Sequence, residues 1–189
     1  PGEPVLRITA PAIEANLLSG FLMTAVSSNT MYASKFVRSV LAGRGKSVIG
    51  TAIQRGTSFE QVFKCARSSV IAGSGNTGLS IVREKLCVPL GNAATIMYHA
   101  FIMSYPTERE AMEAAEKNAQ IDFSIMIDTY DVKKGLAQAM AVAERRKKQK
   151  KVTKIVIDSG DVLAITRYVR KTLDAAGLQS VPITIAGNM

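Results

Sequence analysis

Two stretches thirty residues apart decide the fold: Ile127-Asp128-Thr129-Tyr130-Asp131-Val132 and Ile157-Asp158-Ser159-Gly160-Asp161-Val162. Each follows a short β-branched or apolar run, Phe123 to Ile127 in the first copy and Lys154 to Ile157 in the second. Each then enters an amphipathic helical stretch, from Val132 to about Lys148 and from Val162 to Ala176, with Gly177 placed to cap the second. A third run, Val181-Pro182-Ile183-Thr184-Ile185, ends in Ala186-Gly187-Asn188, so that Asn188 stands thirty residues after Asp158. A strand followed by a helix at a constant period predicts parallel βαβ units. The near-continuous apolar strands agree, because strands of such sheets are covered on both faces.

Working outward from the repeat, the chain reads as α/β, with an α+β region over residues 1–120 leading into repeated β/α units over 121–189. In the first region Pro4 to Thr9 is expected as a strand, and Pro11 to about Leu41 as two helices broken near Ser27-Ser28-Asn29. Ser47 to Ile53 is expected as a second strand, with helices over 59–70 and 79–86. Thr107-Glu108-Arg109-Glu110 is a capping box that opens a helix running to about Asn118.

Strand ends are where parallel α/β folds bind ligands. Asp128 and Asp158 fall on those ends and are candidate functional carboxylates, whereas Asp131 and Asp161 read equally well as helix caps or as ligands. Ser159 and Gly160 lie in the same loop as Asp158, and Gly187 and Asn188 occupy the corresponding place after the third strand. Arg55, after the strand at 47–53, offers a bidentate guanidinium for phosphate or carboxylate. The Gly73-Ser74-Gly75-Asn76-Thr77-Gly78 turn could cradle an anion in its backbone N–H groups, yet it matches neither a Walker motif nor a dinucleotide fingerprint. His99, the single histidine, is flanked by apolar residues and reads as a core or groove histidine or as a functional one.

Composition limits the partners. A hydrophobic fraction of 47% and a charged fraction of 21% are ordinary for a globular protein. No apolar run approaches the roughly 20 residues of a membrane helix. The opening Pro1-Gly2-Glu3-Pro4 has no basic segment ahead of an apolar one, so no secretory signal is read and a cytoplasmic protein is expected. The missing initiator Met reads as a processed or truncated chain. Cys65 and Cys87 lack Cys-x-x-Cys spacing, and beside one histidine they read as buried free thiols, not a metal site. The net charge of +9 is local. The run Arg145 to Lys154 holds seven of the 24 basic residues and no acidic one, against 15 acidic residues in the whole chain. It carries no interleaved aromatics for base stacking, so it reads as a solvated helix end, and a nucleic-acid-binding module is the weaker reading.

Several features then occur in a telling order. Gly2-Glu3-Pro4-Val5-Leu6-Arg7-Ile8 precedes a long helical pair ending Ala33-Ser34-Lys35-Phe36-Val37-Arg38. Arg55, the glycine-rich turn, His99 and Met103-Ser104-Tyr105-Pro106-Thr107-Glu108 follow, and then the paired IDTYD and IDSGD segments. In this order they resemble the nicotinate phosphoribosyltransferase family, over essentially the whole chain and most specifically from Pro106 onward.

The resemblance implies a partial (β/α) barrel of the type II phosphoribosyltransferase kind and transfer of phosphoribose from phosphoribosyl pyrophosphate to nicotinate, with Mg²⁺ and, in an ATP-coupled form, ATP. It implies Asp158 at the ribose and diphosphate, with Ser159, Gly160 and Asp161 completing that loop. Arg55 would meet the pyridine ring or a phosphate, and His99 would take the ATP-derived phosphoryl group. Gln54-Arg55 replaces the paired arginines of many members, which keeps nicotinamide beside nicotinate as a candidate base. A closed barrel takes roughly 250 residues, and about three units are legible after residue 120. The chain is therefore expected to be a fragment, a homo-oligomer sharing its sites, or a subunit completed by a partner chain. A catalytically silent assembly subunit is the alternative function.

Overall fold

The computed structural model of the chain describes residues 3–50, 56, 58–75, 77–89, 95–119 and 122–187. It divides into two compact units, Pro1–Gly91 and Asn92–Met189.

The first unit is helical. One helix, α1 (Ala12–Gly43), replaces the expected pair. Ser27, Ser28 and Asn29 do not break it, because their side chains donate to the carbonyls of Met23, Thr24 and Ala25 one turn back. Such back-bonding satisfies the polar groups without leaving the helix. The helix ends at Arg44, in the left-handed conformation with φ 46°. The segment expected as a strand, Pro4 to Thr9, is exposed and has no strand partner among the described residues. Of the strand expected over 47–53, Gly50 makes one parallel bridge to Thr77, and residues 51–53 lie outside the described residues.

Helix α2 (Phe59–Ser69) is capped by Ser58, whose Oγ accepts from the Gln61 N–H at 3.2 Å. It runs into a π-helical turn, Val70–Ser74. Gly73 (φ 96°) and Gly75 (φ 70°) then reverse the chain in a backbone region that favours glycine. Helix α3 (Ser80–Leu86) follows, and Val62, Ala66, Leu79 and Val82 form the core of the unit. The cysteines are both free. Cys65 is half-buried, whereas Cys87 is exposed, contrary to expectation, because it sits in the left-handed position that ends α3.

The second unit is built on a parallel sheet of four strands in the order β1-β2-β3-β4. These are β1 (Thr95–Met97), β2 (Phe123–Met126), β3 (Thr153–Ile157) and β4 (Ile183–Ile185). The sheet has one strand more than the repeat predicted. Helices α4 (His99–Met103) and α5 (Glu108–Asn118) connect β1 to β2, α6 (Val132–Lys148) connects β2 to β3, and α7 (Val162–Ala175) connects β3 to β4. All four residues of β2 are buried, so both of its faces are covered, as in other parallel sheets. Ile125, Ile127, Ile155, Ile157, Leu136, Val169 and Leu173 lie at the centre of the core. Gly177 (φ 72°) closes α7 with the Leu178 N–H donating to Leu173 O at 2.9 Å, the capping predicted for it.

The close approach of α6 to Ile127, just after β2, depends on Gly135. A Cβ there would lie 2.4 Å from the carbonyl oxygen of Ile127. In an exposed helix Gly→Ala gains about 1 kcal/mol, but overlap with a fixed backbone atom costs about 1–3 kcal/mol. Gly135→Ala is therefore expected to lower the urea midpoint. A raised midpoint would show that α6 can move away from β2 freely.

Helix α5 begins with Thr107, whose Oγ1 accepts from the Glu110 N–H at 3.2 Å, as the capping box predicted. Glu108 in its first turn is buried, and its Oε1 has no protein partner among the described residues. Burial, then the charge of Asp131, holds this carboxyl above the usual glutamate range. A carboxyl with a raised folded pKa binds its proton more tightly folded than unfolded. Stability is thus lost as pH rises from the ordinary value of about 4.3 toward the raised one. Glu108→Gln should have the higher Tm at neutral pH, and thermal melts should show the difference closing below roughly pH 4.

The basic run spans the end of α6, the turn after it and the start of β3, and it is less solvated than expected. Arg146 is fully buried with its guanidinium 4.5 Å from the Phe123 ring centroid. Arg145 pairs with Glu116 at 2.6 Å, and Lys147 donates to the carbonyl of Gly177 at 3.0 Å. Cations at a helix C-terminus also complement its dipole. Arg145, Arg146 and Lys147 are thus tied into the unit that carries them.

Candidate active site

Parallel strands bring all their carboxyl ends to one edge. Along that edge β1 delivers His99, β2 delivers Asp128 and Thr129, β3 delivers Asp158 to Asp161, and β4 delivers Gly187. The register aligns Phe123 with Thr153 and Ile125 with Ile155, thirty residues apart. Between β2 and β3 the sequence repeat therefore becomes a spatial one, and residues thirty apart become neighbours.

Asp128 faces the next strand end. Its Oδ2 accepts from the backbone N–H of Asp158 (2.9 Å), the N–H of Ser159 (2.6 Å) and the Ser159 hydroxyl (2.7 Å). Its Oδ1 is buried without a protein partner among the described residues. Asp128 thus holds the 158–159 loop with one oxygen.

Asp158 and His99 face each other across a short gap. Their side chains are each about one-third exposed, at 34% and 35%, and Nε2 of His99 lies 3.8 Å from Oδ2 of Asp158, too far for a hydrogen bond. On its other side the imidazole is held by Thr129, with Nδ1 2.9 Å from Oγ1. Thr129 was not singled out by the sequence reading.

The two doubtful aspartates are helix caps. Asp131 Oδ1 accepts from the Lys134 N–H at 2.8 Å and Asp161 Oδ1 from the Ala164 N–H at 3.0 Å. This seats the N-termini of α6 and α7 at the same edge, where helix dipoles favour anions. Gly160 (φ 74°) makes the bend between Ser159 and Asp161. Gly187 (φ 103°) passes close to Asp158, since a Cβ there would meet the Asp158 carbonyl oxygen at 3.0 Å. The structure therefore brings His99, Asp128, Asp158, Ser159, Gly160, Asp161 and Gly187 to one edge. Arg55 and Asn188 lie outside the described residues.

An imidazole, an accessible carboxylate, a hydroxyl and two helix N-termini on one edge suit a polar, hydroxylated, anionic ligand. Among the described residues no three His, Cys, Asp or Glu side chains group to hold a metal ion by themselves. No described helix is long and apolar enough to cross a membrane.

No protein-family model matches the chain. Curated proteins do. It is 30% identical over 183 residues to the nicotinate phosphoribosyltransferase pncB2 of Mycobacterium tuberculosis, an alignment taking in 97% of this chain and 39% of that one. The nicotinate phosphoribosyltransferase of Bacillus subtilis is 27% identical over 194 residues, covering 99% and 38% respectively. Among solved structures, human nicotinic acid phosphoribosyltransferase superposes with a TM-score of 0.80 at 21% identity, over 98% of this chain and 48% of that one. Nicotinate-nucleotide pyrophosphorylase from Pyrococcus furiosus superposes with a TM-score of 0.70 at 19% identity, over 86% and 41%. Over nearly its whole length the chain is thus similar to nicotinate phosphoribosyltransferases, as its motifs implied. Its fold is part of the type II phosphoribosyltransferase fold. It spans about two-fifths of the length of the curated relatives it matches.

Proposed function

We propose that this chain carries the strand-end half-site of a nicotinate phosphoribosyltransferase, which transfers phosphoribose from phosphoribosyl pyrophosphate to nicotinate. The bond from the ribose anomeric carbon to pyrophosphate breaks, the bond from that carbon to the pyridine nitrogen forms, and nicotinate mononucleotide and pyrophosphate leave. One observation supports this above the others: His99, Asp128 and Asp158 meet on the ligand-binding edge of a parallel sheet, in a chain similar to nicotinate phosphoribosyltransferases over 97% of its length.

The chemistry asks for what that edge offers. As pyrophosphate departs, positive charge develops on the ribose ring, and a preorganised carboxylate such as Asp158 stabilises it and orients the hydroxyls. Ser159, Gly160 and the N-terminus of α7 suit the phosphate groups. Mg²⁺ fits the donor set, because it binds polyphosphates with only one or two protein carboxylates. Asp158, whose carboxylate is partly exposed, would hold it, and bound there it would neutralise charge on the leaving pyrophosphate. His99 is the residue on which an ATP-coupled step would fall. Arg55, Gly187 and Asn188 complete the proposed substrate contacts, with nicotinate preferred and nicotinamide the competing base. We place the protein in the cytoplasm, with the remainder of the site supplied by further polypeptide, from a second copy or from a partner chain.

Product formation tests this. The purified chain with nicotinate, phosphoribosyl pyrophosphate and Mg²⁺, with and without ATP, is expected to give nicotinate mononucleotide by chromatography, in an Asp158-dependent manner. Folded chain that neither forms product nor binds phosphoribosyl pyrophosphate contradicts the proposal.

A further inference from the structure

We propose that Thr129 is the positioning residue for His99, fixing the imidazole through Nδ1 so that Nε2 is presented to the Asp158 carboxylate. The inference deepens the reading above, since it assumes that His99 and Asp158 act on one ligand. It rests on geometry within the second unit alone.

His99 opens a five-residue helix, and its neighbours Met97 and Ile102 are buried, so its backbone is anchored. Its side chain is about one-third exposed, so packing covers the ring only in part. Two side-chain torsions would leave an exposed imidazole free to turn. The ring makes one hydrogen bond among the described residues, between Nδ1 and Thr129 Oγ1 at 2.9 Å. Threonine suits the task because its β-branch restricts χ1 and so fixes the hydroxyl direction. Which nitrogen of a histidine is available for chemistry follows from the bond made by the other. Here the bond to Nδ1 turns Nε2 toward Asp158 Oδ2, at 3.8 Å.

Thr129 follows Asp128, whose Oδ2 holds the backbone of Asp158 and Ser159. Two consecutive residues at the end of β2 therefore fix the groups on either side of it. Asp128 sets the β3 loop, and Thr129 sets the ring delivered from β1. Their combined effect is a gap between Nε2 and Oδ2 in which neither atom is spent on the other.

His99 is the only histidine in the chain, so imidazole ¹⁵N spectra of the labelled full chain report on it without assignment. Thr129→Val keeps the β-branch and removes the hydroxyl, and Thr129→Ser keeps the hydroxyl. The expected result is a shift of the Nδ1 resonance in Thr129→Val that exceeds the change at Nε2, with the native position restored in Thr129→Ser. In turnover, kcat in Thr129→Val is expected to fall on the order of tenfold or more with the KM for phosphoribosyl pyrophosphate little changed, and Thr129→Ser to recover most of it. An Nδ1 resonance unmoved by Thr129→Val, or a serine variant that restores nothing, overturns the inference. If Thr129→Val does not fold, the unsubstituted chain decides: an Nδ1 shift like that of imidazole free in water overturns it, and a hydrogen-bonded shift supports it. Because the spectra need no turnover, a folded chain that neither makes nicotinate mononucleotide nor binds phosphoribosyl pyrophosphate yet shows these shifts would refute the function proposed above and leave Thr129 in its role.

Discussion

Asp158→Ala is expected to reduce phosphoribosyl pyrophosphate binding and turnover on the order of 100-fold or more, with secondary structure and Tm close to those of the unsubstituted chain. The size follows from removing a charged group from the place where charge develops in the transition state. The near-constant stability follows from where Asp158 makes its structural contacts. Its backbone N–H is held by Asp128, and the Ile157 carbonyl beside it accepts from the Ala186 N–H at 2.8 Å, while its carboxylate makes no hydrogen bond to His99. Alanine keeps both backbone contacts. Isothermal titration with phosphoribosyl pyrophosphate and Mg²⁺, beside a thermal melt, separates the two effects. A large loss of Tm would mean that the carboxylate is structural.

Asp128→Ala is expected to do the opposite in proportion, lowering stability as well as binding. It removes an acceptor of three hydrogen bonds, two of them from backbone N–H groups. Hydrogen bonds to a charged group contribute about 1.5–3 kcal/mol each when buried. Partial exposure of the Ser159 side discounts this, and a total loss of about 2–4 kcal/mol is expected. Asp128→Asn retains an amide oxygen as acceptor and should recover roughly half of the loss. Urea unfolding of the three proteins reads the series, and binding should follow the same rank. An alanine variant as stable as the parent would remove Asp128 from its role as the clasp of the 158–159 loop.

The second unit was legible because its constraints are periodic. A thirty-residue repeat of strand, aspartate and helix requires parallel neighbours, and the ranges of α6, α7 and β2 to β4 fell within a residue or two of the pattern. Thr95–Met97 escaped notice because a three-residue strand has too few positions to show periodicity. It also lacks the Ile-Asp signature carried by the later units. The first unit was harder to read. Pro4 to Thr9 has strand-forming residues but no partner strand among the described residues, and pairing is what makes a strand. The serines and asparagine at 27–29 suggest a break by propensity, yet local back-bonding removes the reason for one.

Within the site, carboxylates at strand ends could be placed from sequence, but their division of labour could not. Asp128 and Asp158 occupy equivalent positions in the repeat. They differ because Asp128 has a β3 loop beside it to hold, whereas Asp158 has Gly187, which passes it without a side chain. That Asp131 and Asp161 cap their helices needed the position of one backbone N–H each. Arg146 was hidden in a run of like residues, since nothing in the local sequence distinguishes the arginine that stacks on Phe123 from its solvated neighbours.

Direct titration of phosphoribosyl pyrophosphate into the purified chain in the presence of Mg²⁺, with Asp158→Ala in parallel, tests most simply whether this edge is a phosphoribosyl site. The account predicts saturable binding by the unsubstituted chain and its loss in the variant, with both proteins equally folded. Equal binding by the two, or none by a well-folded parent, would contradict it.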